Sequence, residues 1–190
     1  MDTLLALIVG IGLSAACGFR VFVPLLGMGL ASLSGLLTLS SGFEWIGSWP
    51  AVVAFTLATI LEIAAYYIPW LDNLMDSVAA PAAVIAGIIA TASVLTDTSP
   101  FLRWSIAIIA GGGTAGIIQT GTTFLRGASS LASGGMTNVL VSTGELIGSA
   151  LTTALAILIP IVCFFLVGAL CIVIIRGLVA SRRAKRGPND

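Results

Sequence analysis

The sequence predicts an all-α fold, a polytopic membrane bundle of about six helical spans, and three observations carry that expectation. First, 58% of the 190 residues are hydrophobic and only 8% are charged, with a mean hydropathy of +1.13. A soluble domain carries about a quarter charged residues, so this composition supplies no water-soluble surface. Second, the apolar runs are long enough to cross a hydrocarbon layer about 30 Å thick at a rise of 1.5 Å per residue. Third, glycine and proline interrupt two of those runs, so spans one and four read as broken helices, an arrangement that fits a 3+3 inverted-topology repeat.

The first apolar stretch, Leu4 to Leu39, is too long for one straight span. Its break falls at Cys17-Gly18-Phe19-Arg20, ahead of Pro24, where a glycine and a proline weaken the backbone ladder. Residues 40–50 form a polar and aromatic loop whose Trp45 and Trp49 suit a membrane interface. Span two runs from Ala51 to Ile68 and ends in a turn from Pro69 to Asp76. Span three covers Val78 to Leu95, with Pro81 expected in its first turn. Span four, Phe101 to Leu125, passes through Gly111-Gly112-Gly113, which reads as a packing or bending device and lacks the lysine of a phosphate loop. Arg126 to Gly135 is small and polar and reads as a loop. The stretch from Thr137 to Ala180 holds spans five and six, divided between Thr152 and Ala156.

Residues 1–180 therefore read as one transmembrane domain, and residues 181–190 as a basic tail. Arg182, Arg183, Lys185 and Arg186 place that tail in the cytoplasm by the positive-inside rule, and an even number of spans brings the N-terminus to the same side. The expected location is the inner membrane, multi-pass. Asp2 stands where a signal peptide carries positive charge, and the apolar run continues past Cys17, so no cleavage is expected there.

The same composition excludes several functions. Eight basic and eight acidic residues balance to a net charge of +0, which leaves no field for nucleic acid. There is no histidine, which removes most zinc, haem and general-base chemistry. Cys17, Cys163 and Cys171 lie in apolar runs without metal spacing, so neither a metal site nor a disulfide is expected. No nucleophile and base pair stands out, and the chain does not read as an enzyme.

A self-comparison places Gly10 to Ala15 opposite Gly111 to Gly116, and at the same offset Leu30-Ala31-Ser32 opposite Leu131-Ala132-Ser133. With a shorter loop in the second half, Glu62 falls opposite Glu145 and Pro81 opposite Pro160. The implied units are 4–96 and 101–178. Three spans per unit is an odd number, so the halves sit inverted to one another, as in secondary transporters.

Ionisable groups at membrane depth cost roughly 2.5–3.5 kcal/mol each and so face a partner or a water-filled cavity. Arg20, Glu62 and Glu145 are the candidates inside spans. Glu62 shares a helix face with Thr59 and Tyr66, and Glu145 shares one with Asn138, Ser142, Ser149 and Thr152. Gln119, Thr122 and Arg126 form a shorter stripe on span four. Asp72 and Asn73, with Asp76, suit either a cation at the membrane edge or a helix cap. Tyr66, Tyr67 and Trp70 suit an interfacial belt.

Ala16-Cys17-Gly18-Phe19-Arg20-Val21-Phe22-Val23-Pro24-Leu25 and Leu61-Glu62-Ile63-Ala64-Ala65-Tyr66-Tyr67-Ile68-Pro69-Trp70-Leu71-Asp72-Asn73 resemble a bacterial membrane family known as domain-of-unknown-function family 4126. The resemblance implies no activity. It implies that Arg20, Glu62, Pro69, Asp72 and Asn73 belong to the pattern worth testing.

These residues fit a small transporter or channel for an ion or small solute. Glu62 and Glu145 would serve as cation or proton sites, and Arg20 as counter-charge or anion site. The competing reading is a structural or assembly subunit, or a lipid- or pigment-binding protein, in which the charges only join helices. The expected partners are the bilayer, a small ion or solute, and a second copy or a larger membrane complex; nothing in the sequence indicates a cofactor.

Overall fold

The computed structural model describes the backbone of residues 2–66, 69–133 and 137–185 and the side chains of 2–65, 78–131 and 137–181. The described residues are helical apart from connecting loops. The first apolar stretch divides into α1 (Thr3–Phe19) and α2 (Phe22–Leu33). Arg20 takes extended angles (φ −146°, ψ 136°), and its N–H closes α1 on the Ala16 carbonyl at 3.1 Å. Pro24 accounts for the position. In an unbroken helix its ring would strike the carbonyl four residues back, which is that of Arg20.

After α2 the chain turns at Gly35 (φ 75°) and Gly42 (φ 89°), conformations that suit glycine. Ser40 ties this loop to the end of a later helix, its N–H on the Ser93 carbonyl at 2.7 Å. A 3₁₀ turn over Glu44–Gly47 leads into α3 (Trp49–Tyr66), and α4 spans Pro69–Val94. Phe43 and Trp104 pack with ring centroids 6.1 Å apart, and Trp45 and Phe55 at 6.0 Å, so the loop aromatics gather at one end of the bundle.

Two expectations about α4 are corrected. The backbone is already helical from Pro69, where a turn to Asp76 was expected, and Pro81 lies inside the helix rather than in its first turn. Proline at position one starts a helix well, and Pro69 fills that role.

α5 (Pro100–Ile106) begins with Ser99 as N-cap, its hydroxyl accepting from the Leu102 N–H at 3.4 Å. A π-helical segment, Ala107–Gly112, then joins it to α6 (Gly113–Ser133). The glycine run is thus an insertion in the helical ladder, not a break in the chain's course. Arg126 to Ser133 is helical where a loop was expected, so the polar stripe of span four continues through Arg126. α7 (Asn138–Leu158) and α8 (Pro160–Lys185) part at Ile159 (φ −138°, ψ 63°), beyond the expected division at Thr152 to Ala156. The residue before a proline avoids helical angles, which puts the boundary at Ile159.

α1 is the central helix. It packs against α4, α6, α7 and α8, while α2 packs against α3 and α7. Small residues allow the approach: a Cβ on Gly18 would lie 2.6 Å from Ile118 Cβ and 2.7 Å from the Ala115 carbonyl oxygen. Gly111 of the π segment faces the Gly87 carbonyl and Thr91 of α4 equally closely. Ser14 and Thr91 seal the α1 to α4 contact, with Ser14 donating to the Gly87 carbonyl at 2.7 Å and Thr91 to the Gly10 carbonyl at 3.1 Å.

The outer faces are apolar: Ile109 is 76% exposed, and Leu57, Phe165 and Val173 are exposed as well. Pro100–Leu131, Asn138–Leu158 and Pro160–Ser181 are long and apolar enough to cross a membrane. Thr3–Phe19 and Phe22–Leu33 are shorter apolar helices, and the described parts of α3 and α4, Trp49–Ala65 and Val78–Val94, are apolar as well. Pro24 splits the first run into two short helices rather than one span.

Candidate functional site

The break between α1 and α2 creates a chemical demand. Separating the helices frees the first N–H groups of α2, which need acceptors inside an apolar bundle. No side chain of α2 caps them. Glu62 of α3 does so instead: its Oε1 accepts from the Val21 N–H at 2.8 Å and its Oε2 from the Phe22 N–H at 3.2 Å. A carboxylate at this end also complements the helix dipole.

Glu145 of α7 has different company. Arg126 of α6 donates to it through both Nε, at 2.9 Å, and Nη2. Arg20 approaches the same carboxylate, with Nη2 3.8 Å from Oε2, and donates to the Ser142 carbonyl at 2.8 Å. Arg20, Arg126 and Glu145 are all at most 5% exposed. The charges of Arg20 and Arg126 also act on Glu62, so the four ionisable groups form one cluster around the break.

Hydroxyls surround the cluster. Ser142 lies one turn before Glu145, and Thr59 one turn before Glu62. Both oxygens are buried and meet no hydrogen-bond partner among the described residues. Ser149 donates to the Ala16 carbonyl at 3.0 Å, in the last turn of α1, and Thr153 bonds back to the Ser149 carbonyl at 2.7 Å. The polar face of α7 therefore runs through Ser142, Glu145, Ser149 and Thr153, with Thr153 more deeply buried than the expected Thr152.

Of the residues singled out from sequence, Arg20, Glu62 and Glu145 come together. Gln119 is 7% exposed and, with Thr120 and Thr123, lines a mainly apolar groove of about 760 Å³ between α4, α6 and α8. Asn138 sits at the start of α7, where its Nδ2 donates to Ser130 at 3.1 Å across the α6 to α7 connection. The side chains of Tyr66, Asp72 and Asn73, and those of Trp70 and Asp76, lie outside the described residues, as does Tyr67.

The sequence placed Arg126 on the stripe with Gln119 and Thr122 but did not single it out as the partner of Glu145. The signal was the Gln119, Thr122 and Arg126 spacing, which is helical and continues the stripe past the expected end. Among the described residues no group of histidine, cysteine, aspartate and glutamate is arranged to hold a metal ion.

No curated protein and no solved structure matches the chain. Residues 7–180 match a family model described as a domain of unknown function, DUF4126, and the chain belongs to that family.

Proposed function

We propose that the chain is an integral membrane protein that carries a small ion or solute across the bilayer, with the four-charge cluster at the helix break as its central binding position. One observation supports this above the others: Arg20, Glu62, Arg126 and Glu145 are drawn from α1, α3, α6 and α7 to one interrupted helix. Buried ionisable groups beside a discontinuous helix are the usual construction of a transport site. The exposed apolar belt suits lipid as its solvent.

The halves act as an inverted pair in this reading. An interrupted helix is followed by two further helices in each half, and the Thr59 to Glu62 spacing on α3 recurs as Ser142 to Glu145 on α7. The protein resides in the inner membrane with both termini in the cytoplasm, and a reporter active only in the cytoplasm, fused after residue 190, should be active.

A structural role is the second reading, favoured by the fact that Glu62 and Glu145 both have protein partners. Purified chain in proteoliposomes separates the two. Proton, potassium and chloride fluxes are followed with internal dyes, and a flux above that of empty vesicles is expected. A folded protein that moves none of them, nor a small organic acid, would leave the structural role standing.

A further inference from the structure

We propose that the groove between α4, α6 and α8 holds one anionic phospholipid, with its chains on the apolar walls, an ester carbonyl on Gln119 and its phosphate at the basic end of α8. The inference requires that the chain lie in a bilayer; it does not require transport. The groove measures about 760 Å³, within the range of about 300–1,000 Å³ usual for small-ligand sites. Ala80 and Val84 of α4, Leu178 of α8, and Phe124 and Leu131 of α6 form its walls. Glycine keeps its floor low. Among the described residues nothing lies within 4 Å of a Cβ built on Gly127, and one on Gly116 meets Val84 at an ordinary 3.5 Å.

Gln119 is the independent sign of a ligand. It is 7% exposed and lines the groove, and its carboxamide makes no hydrogen bond among the described residues. Thr122 bonds to the main-chain carbonyl of Gln119 at 3.0 Å and leaves the side-chain amide alone. A carboxamide without a partner in apolar surroundings carries a desolvation cost that an acceptor from outside removes. Thr123, one turn further along α6, adds an exposed hydroxyl to the same groove. No charged side chain lines the groove among the described residues. The acceptor that Gln119 suits is therefore neutral, as an ester carbonyl is.

Charge selects the headgroup. The backbone of α8 runs on from Ser181, at the rim of the groove, as helix to Lys185. Arg182 and Lys185 stand one turn after Leu178 and Ser181, the two groove residues of α8. Four of the eight basic residues of the chain fall within 182–186, and they outnumber Asp72 and Asp76 in the first turns of α4. A run of cations directly after a membrane helix attracts anionic lipid. The deep and the shallow ends of the groove follow the same order as the lipid. Gly121, two residues after Gln119, packs on Ile174, and Ser181 stands about 10 Å further along α8.

A second copy does not fill this face. An isologous contact sets the same patch against itself, so groove would meet groove and both would stay empty.

The test is native mass spectrometry of the purified full chain in detergent, titrated with dioleoylphosphatidylglycerol and, as the control, dioleoylphosphatidylcholine. Wild type should hold one phosphatidylglycerol at least about tenfold more tightly than phosphatidylcholine. Gln119→Leu should weaken phosphatidylglycerol binding by about five- to tenfold. Because it removes an unpartnered amide, it should also leave the thermal midpoint of the lipid-free protein unchanged or raised, whereas loss of a merely structural glutamine would lower it. Gly127→Leu sets a side chain in the open groove and should abolish the bound lipid while helicity is unchanged. Arg182→Gln with Lys185→Gln should bring the two lipids to equal affinity. Equal binding of both lipids by wild type, or phosphatidylglycerol binding that survives both Gln119→Leu and Gly127→Leu, overturns the proposal. So does a lipid-free two-chain complex that Gly127→Leu dissociates, since a second copy would then occupy the groove. Lipid binding that these variants abolish, in a chain that moves no ion or solute, supports the groove and removes only transport; flux without such binding does the reverse.

Discussion

The two glutamates occupy matching places in the order of helices, on α3 and α7, each one turn after a buried hydroxyl, yet they do different work. Glu62 holds backbone: it closes the start of α2 where Pro24 has broken the first apolar run. Glu145 holds side chains: it receives Arg126 across two bonds and has Arg20 3.8 Å away. The interruptions differ in the same way. The first half separates two helices at Arg20, whereas the second inserts a π segment and keeps its helix continuous. A true break frees amides and recruits a carboxylate; a π insertion does not, so the second glutamate is available to an arginine.

The largest effect should come from Arg126→Ala. Glu145 would lose its bidentate partner in a buried site, which costs about 3–5 kcal/mol, readable as a fall in the denaturant midpoint in micelles. Glu145→Gln in the same background should recover most of it, since the buried carboxylate that lost its bidentate partner is then neutral. A small loss would mean that Arg20 replaces Arg126, and the contrast between the glutamates would weaken.

Gly111→Ala tests the second interruption. The added methyl meets the Gly87 carbonyl oxygen and Thr91, so an overpacking cost of about 1–3 kcal/mol is expected. No cost would mean that the π segment gives way easily and that its glycine is not set by packing. Glu62→Ala removes the cap of α2 and should cost about 0.5–2 kcal/mol, in the range of other lost caps and below the loss at Arg126. At the low end stands Phe165→Leu, on the exposed face of α8, which should stay within about 0.5 kcal/mol in the same assay.

Much of this contrast was legible in the residues themselves. The break at Arg20 follows from Pro24, because the proline excludes a helix through the residue four before it. Arg20, Glu62 and Glu145 stand out because ionisable groups are scarce in apolar runs. The partners were not legible. Glu62 bonds to main-chain groups 40 and 41 positions earlier, and backbone donors leave no mark in a sequence. Arg126 stood on the stripe with Gln119 and Thr122, but the small polar residues that follow it, Gly127, Ser129 and Ser130, read as a loop, so its pairing with Glu145 was not legible. The division expected between Thr152 and Ala156 came too early, because both threonines lie in a helix that continues to Leu158, and Pro160 sets its end at Ile159.

The most direct test of the cluster as a transport position, rather than a fastening, is flux through a double variant, Arg126→Gln with Glu145→Gln. Removing both takes out one positive and one negative charge together and leaves the Arg20 guanidinium on the Ser142 carbonyl, so the protein should remain folded and monodisperse. The account predicts that its flux in proteoliposomes falls at least about tenfold, a loss of roughly 1.4 kcal/mol in the effective barrier. A double variant that folds and carries ions or solutes at the wild-type rate would show that the cluster only holds the helices together.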